Sequence, residues 1–211
     1  ATKTADVRLC PTETFPAHRL YQTNLYRKGL RAQVGGGQQD TTLFWEGVGR
    51  FRAIEGKHLA YQALTPDEGV FGLFVVSEAL GMILYQRGLF LLHGSAVEVN
   101  GQATVFVGMP GAGKSTTVAA FAQEQHAVLS DDLTAITFRN GAPYVIPGFP
   151  QIKLWETSVG LLGIDTATLS PAFEGHHKYL YTSPDTLFVA DPVPLREIVM
   201  LHKPFSKFSG Q

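Results

Sequence analysis

Gly108-Met109-Pro110-Gly111-Ala112-Gly113-Lys114-Ser115 fulfils the spacing G-x-x-x-x-G-K-[ST] in full, between the apolar run Ala103-Thr104-Val105-Phe106-Val107 and an alanine-rich stretch over residues 115–125. Glycines at these positions let several backbone N–H groups converge on phosphate oxygens at angles that a Cβ forbids. The helix that follows adds the positive end of its dipole. The chemistry is the binding of a nucleotide phosphate chain: Lys114 reaches the β- and γ-phosphates, and the Ser115 hydroxyl ligates magnesium. Asp131-Asp132 ends the next short apolar run, residues 127–129, so both carboxylates reach the sheet edge on which the loop opens. One of them can hold the metal, directly or through water, while the other accepts the proton of an attacking hydroxyl. Ser130-Asp131-Asp132 is also ordinary turn chemistry, and it is the neighbouring loop that favours the catalytic reading. His93, in the apolar run just ahead, reads by itself as a structural histidine.

The elements that must position these groups follow from pattern. Residues 15–61 are short and β-like, with Gly35-Gly36-Gly37 read as a flexible stretch between runs, which predicts a small sheet of hairpins. Thr65-Pro66-Asp67-Glu68 marks a helix start, and Val70, Leu73, Phe74, Ser77, Leu80, Gly81 and Leu84 recur at helical spacing up to Arg87-Gly88, predicting one long helix. Asn100-Gly101 predicts a two-residue hairpin turn into the strand that feeds the loop, and Asn140-Gly141 a second between 133–139 and 143–146. Pro147-Gly148-Phe149-Pro150 stops regular structure, 155–162 reads as a short helix, 165–175 as a surface loop, and 178–181 and 195–201 as strands. The chain is therefore read as α/β, with a small β-rich region over 1–64 and a nucleotide-binding domain over 65–211. It contains no internal repeat.

Composition narrows the partners. With 17 basic and 18 acidic residues in 211 the net charge is −1, so no global field draws nucleic acid or anionic membrane to the chain, and anion binding must be local. Cys10 is the single cysteine and no Cys/His pair has zinc spacing, so a reducing, cytoplasmic compartment is expected. Residues 1–10 lack the apolar core of a signal peptide. The apolar stretch 69–92 is interrupted by Glu78 and Arg87 and reads as a buried helix, with no membrane association expected. The low charged fraction, 17%, suits a buried contact between subunits.

His93-Gly94-Ser95-Ala96, the complete loop, Ser130-Asp131-Asp132, Pro147-Gly148-Phe149-Pro150 with Leu154-Trp155, Lys178, and Pro194-Leu195-Arg196 stand in the order seen in HPr kinase/phosphorylase-like proteins. Over roughly residues 48–201 the chain resembles their short, kinase-like branch, which includes lasso-peptide kinases. Its core is also similar to that of phosphoenolpyruvate carboxykinases. The resemblance implies a P-loop domain on a mixed sheet and ATP-dependent transfer of the γ-phosphate to a serine hydroxyl of a peptide or small protein. It makes Asp131, Asp132, His93 and Lys114 the catalytic set. Asp131 would be the general base, Asp132 would join Ser115 at Mg2+, and His93 would lie beside the pair and the transferred phosphate. The order of the two aspartates stays open.

By the same resemblance, Gly108, Pro110, Gly111, Ala112, Gly113, Lys114, Ser115 and Thr116 contact ATP. Lys178 lies near phosphate or acceptor, its alternative being an exposed lysine. Two departures remove the reverse, phosphorolytic activity and HPr itself from what is implied: Thr116 replaces a family glutamate, and the Glu-Val-Arg-Gly-Leu-Gly type signature is missing. The family further implies a homo-oligomer and more helices after 195–201, so the chain is expected to be truncated relative to its relatives. A nucleotide-binding sensor without transfer and a carboxykinase-like small-molecule kinase are the competing functions. Phe149, Trp155, Phe173, Tyr179 and Tyr181 are read as core more than as a base pocket. His176-His177 would face opposite ways in a strand, which argues against joint metal ligation.

Overall fold

The computed structural model describes residues 6–27, 29–172, 177–182 and 189–203. The chain forms two compact units, Ala1–Leu89 and Phe90–Gln211. In the first, β1 (Arg8–Pro11), β2 (Tyr21–Arg27), β3 (Leu30–Gly37), β4 (Asp40–Trp45), β5 (Gly49–Ile54) and β6 (His58–Ala63) make a six-stranded sheet in the order β1-β6-β5-β4-β3-β2. Alternation in β5 buries Gly49, Phe51 and Ala53 and turns Arg50 and Arg52 outward, the period-two pattern of a sheet with one covered face. The outward side carries an ion pair in which Arg52 donates twice to Asp40, each at 2.6 Å. Those bonds outweigh partial burial and hold the Asp40 carboxyl below its usual range.

The covering helix runs from Glu68 to Gln86. It consists of α1 (Glu68–Phe74), a π-helical turn at Val75–Ala79 and α2 (Leu80–Gln86). Asp67 starts it by accepting from the Val70 amide at 2.8 Å. At 19 residues and mean hydropathy 1.5 it is apolar enough to cross a membrane by length and composition. Phe74, Val75, Ala79, Met82 and Ile83 nevertheless share one buried cluster with Trp45, Phe51 and Leu59 of the sheet, and Trp45 meets Phe74 edge-on at 5.0 Å. This common core corrects the expected boundary at 64/65: the helix belongs with the β-rich unit, and the division falls at Leu89.

Gly35-Gly36-Gly37 is a second correction, since these glycines lie within β3 and pair with β4. A Cβ on Gly36 would stand 2.1 Å from the Asp40 carbonyl oxygen, so close backbone approach explains the residue choice there. Gln86, 8% exposed, ties helix to sheet by accepting from the Gly56 amide at 2.9 Å and donating to the Ala53 carbonyl at 3.0 Å. Gln86→Ala is expected to destabilise this unit by about 1–3 kcal/mol, the cost of unpaired buried backbone groups, read from the shift of a urea denaturation midpoint.

The second unit is built on a mixed seven-stranded sheet in the order β10-β8-β9-β16-β12-β11-β7. Its strands are β7 (Phe90–Leu92), β8 (Gly94–Val99), β9 (Gln102–Gly108), β10 (Val128–Ser130), β11 (Thr134–Arg139), β12 (Ala142–Ile146) and β16 (Val193–Leu201). Asn100 (φ 52°) with Gly101 (φ 79°), and Asn140 (φ 51°) with Gly141 (φ 80°), form the two expected hairpin turns, each with both central residues in the left-handed region. Between β9 and β10 lies α3 (Lys114–Gln123). A small sheet of β13 (Gln151–Trp155), β15 (Lys178–Thr182) and β14 (Ser170–Pro171), with α4 (Glu156–Leu161), completes the unit. The expected surface loop at 165–175 thus contains a short 3-10 turn, Thr166–Thr168, and β14; its last three residues lie outside the described ones.

Successive residues of the central strands enter different cores. Val97, Phe106 and Val128 pack with Val118 and Ala122 of α3 and with Ile152 and Leu154 of β13. Ala96, Val105 and Leu129 pack with Ile136 and Val145. Burial on both faces is why these strands read as continuous apolar runs.

Strand direction then assembles the site. β8 is antiparallel to both β9 and β10, so those two run the same way, and β16 is parallel to β9. The end of β9 (Gly108), the end of β10 (Ser130), the end of β16 (Leu201) and the start of β8 (Gly94) therefore share one edge of the sheet.

Candidate active site

The motif at residues 108–115 occupies that edge as strand, loop and helix. Gly108 is obligatory because a Cβ there would lie 2.5 Å from the Leu201 carbonyl oxygen. The amide of Ala112 donates to the Met109 carbonyl at 3.0 Å and closes a turn. Gly111 and Gly113 make no hydrogen bond through their amides among the described residues. Gly113, at φ 99°, precedes α3, whose first turn has no side-chain cap. Uncapped helix amides beside unpaired loop amides form an anion-binding concavity. The Lys114 side chain is 8% exposed and curls back so that its ammonium donates to the Gly108 carbonyl at 2.9 Å and to that of Met109 at 3.4 Å.

Three expected contacts differ in kind. The Ala112 amide is committed to its turn, and Pro110 has no N–H to give, so both shape the loop without donating to phosphate. Thr116 is more clearly displaced: its hydroxyl bonds Ser158 Oγ at 2.8 Å, joining α3 to α4. Side chains one helical position apart point about 100° away from each other, so the Thr116 side chain does not follow that of Ser115, and what Thr116 can offer a phosphate is its backbone amide in the uncapped first turn of α3.

Asp131 is a junction. Its Oδ1 accepts from Ser95 Oγ at 2.6 Å and from Ser115 Oγ at 2.8 Å, and its Oδ2 accepts from the Lys153 amide at 2.9 Å. The turn behind it is locked: Thr134 Oγ1 donates its one proton to the Gly94 carbonyl at 3.0 Å, so the buried Ser130 hydroxyl donates to Thr134 at 2.7 Å. Asp132 sits in the left-handed region at φ 67°, which aspartate adopts more readily than most residues in turns. The His93 ring bonds its carbonyl at 2.9 Å through Nδ1. A carbonyl only accepts, so Nδ1 carries a proton in this bond.

Asp132 Oδ2 pairs with Lys153 Nζ at 3.1 Å. Burial, the largest single influence on the Asp132 carboxyl, raises its pKa. The charge and hydrogen bond of Lys153, with the charges of Lys178 and His93, overcome this and leave the group below its usual value. The ionised form is thereby secured throughout the neutral range.

Lys153 was invisible to sequence reasoning because nothing in its spacing links it to Asp132; only the placement of β13 does. Ser95 had a signal only in the His-Gly-Ser-Ala segment. Lys178 joins the surroundings of Asp132, with its ammonium over the Trp155 ring at 4.6 Å from the centroid. The five aromatics divide. Tyr179 and Tyr181 pack on the α3 core, Phe149 and Trp155 are exposed, and Phe173 lies outside the described residues. His177 pairs with Glu156 at 3.0 Å, and His176 also falls outside the described residues.

Among the described residues no group of three or more His, Cys, Asp or Glu could cage a metal ion. Magnesium suits this donor set, because it keeps several waters and takes phosphate oxygens together with one or two protein ligands. The hydroxyl of Ser115 and the carboxylate of Asp131, already in contact, are the groups a loop of this pattern uses.

No protein family matches the chain, and no curated protein does. Among solved structures, the Hpr(Ser) kinase/phosphatase from Coxiella burnetii is similar at TM-score 0.40 and 14% identity, over 56% of this chain and 68% of that one. A likeness of this size carries no conclusion about activity.

Proposed function

We propose that the chain is an ATP-dependent kinase that transfers the γ-phosphate to a serine hydroxyl of a peptide or small protein. The observation that carries the reading is the contact between the loop hydroxyl Ser115 and Asp131 at 2.8 Å, with a second carboxylate, Asp132, one residue further and free of the loop. A phosphate loop alone binds nucleotide; a loop joined to two differently engaged carboxylates has what in-line transfer needs.

The loop amides and the Lys114 ammonium hold the phosphate chain and neutralise charge that grows on it in transfer. Ser115 and Asp131 would hold magnesium, which supplies further charge neutralisation on the phosphates. Asp131, with three hydrogen bonds already accepted, is poorly placed to take a proton. Asp132 accepts from Lys153 on one oxygen and keeps the other for the acceptor hydroxyl. The hydrogen bonds thus support the reverse of the order implied by family resemblance: Asp131 on the metal side, Asp132 on the acceptor side. As the acceptor oxygen bonds to γ-phosphorus, the bond from γ-phosphorus to the β–γ bridging oxygen breaks. ADP then leaves, and the hydroxyl proton passes to Asp132. His93 positions the Asp132 peptide through its carbonyl.

The test is transfer of labelled γ-phosphate from Mg-ATP to serine-containing peptides and small proteins, read by mass spectrometry as a gain of one phosphate. Brisk ATP hydrolysis with no label on any peptide acceptor sinks the reading. Label on a metabolite hydroxyl would make the protein a small-molecule kinase, and binding without turnover a sensor.

A further inference from the structure

β16 delivers a residue to the loop that no motif contains. Because Leu201 pairs with Gly108 in the parallel register of β16 and β9, the chain leaves the sheet at the base of the phosphate loop. Two residues later the Lys203 side chain lies against the loop crest. A Cβ built on Gly111 would meet both its Cε and its Nζ at 3.2 Å. That ammonium is exposed and has no hydrogen bond or ion pair among the described residues. Lys114, by contrast, already has the carbonyls of Gly108 and Met109 as partners. A solvated surface lysine is ordinary; one beside a loop with unpaired amides, with no anion of the described residues paired to it, adds to a local positive field that favours a polyanion.

We infer that Lys203 is a second phosphate-binding cation, contacting the nucleotide phosphate chain beside Gly111 and complementing Lys114. The inference rests on the nucleotide-binding reading above. Gly111 itself is required by its backbone, at φ 77°, and its missing side chain leaves the lysine room beside the loop. Lysine suits the place because a compact point charge follows phosphate oxygens without the planar geometry that arginine imposes.

The experiment is calorimetric titration of the full chain with Mg-ATP, with tripolyphosphate as a competitor that carries no base. Lys203→Gln is expected to weaken Mg-ATP and tripolyphosphate about tenfold and to reduce the salt dependence of both, the loss expected for one charge-assisted contact. Lys203→Arg, which keeps the charge, should retain most of the affinity. The melting temperature without ligand should not change, because the side chain is exposed and has no partner among the described residues. Wild-type protein that binds Mg-ATP alongside a Lys203→Gln variant of equal affinity overturns this inference alone. Wild-type protein that binds no Mg-ATP overturns the nucleotide reading and this one with it.

Discussion

Replacing Asp132 with asparagine is expected to leave Mg-ATP affinity unchanged while slowing phosphate transfer by about 10²–10⁴, the range for loss of a positioned general base. The separation follows from geometry: Asp132 makes no hydrogen bond to the loop, and its partners are Lys153 and the His93 ring. Its environment also sets a pH dependence. Burial pushes the carboxyl up, and Lys153, then Lys178 and His93, pull it further down. A base works only when ionised, so transfer is lost as pH falls through the folded-state value of Asp132, which lies below the usual carboxylate range. The same depression means that ionised Asp132 stabilises the fold above its unfolded value, a contribution lost as pH falls through the folded one.

Lys153→Ala removes the strongest downward influence and leaves much of the burial. The acid limb of kcat/KM should therefore move to higher pH, while Mg-ATP binding stays near wild type. A profile for Lys153→Ala that superimposes on the wild-type profile would show that another group titrates. Asp132→Asn with undiminished transfer would show that the carboxylate takes no part.

Lys114→Ala is expected to weaken Mg-ATP about tenfold to a hundredfold, one or two charge-assisted hydrogen bonds, and to lower transfer as well. The site has a socket for an ammonium: the carbonyls of Gly108 and Met109 face a side chain that is 8% exposed. Arginine should not rescue it, because a planar guanidinium does not fit a space formed around a point charge. Without nucleotide the variant should unfold within about 1 kcal/mol of wild type, since the freed carbonyls lie at an open loop where water can replace the ammonium. Calorimetric titration and urea denaturation of one preparation separate the effects. Wild-type affinity in a folded Lys114→Ala protein would place nucleotide binding elsewhere.

Much of this architecture was legible in the residues. Asn100-Gly101 and Asn140-Gly141 specify left-handed turns whatever surrounds them, Asp67 caps its helix with its own carboxylate, and the loop glycines leave the chain few other shapes. These signals act within a few residues, so one sequence suffices to read them. The glycines of β3 misled because the backbone that Gly36 accommodates, at Asp40, sits across a strand pair; glycine marks close approach and flexibility with the same letter. The long helix was found but placed with the wrong unit, because its spacing defines an apolar face and says nothing of which sheet will cover it.

The site divides along the same line. Chain sequence alone determined the glycine-rich loop over residues 108–115 with Lys114 and Ser115, and the acidic pair, since each is specified by residue type and local spacing. Tertiary structure decided that Asp131 meets Ser115 and Ser95, that Lys153 holds Asp132, that Thr116 turns to Ser158, and that Lys203 arrives beside Gly111. Those contacts depend on strand order and direction, chiefly β16 lying parallel to β9 and β13 packing on the α3 face. Pairings of that kind are chosen by which apolar faces become buried together, a property of the whole unit that no stretch of its residues contains.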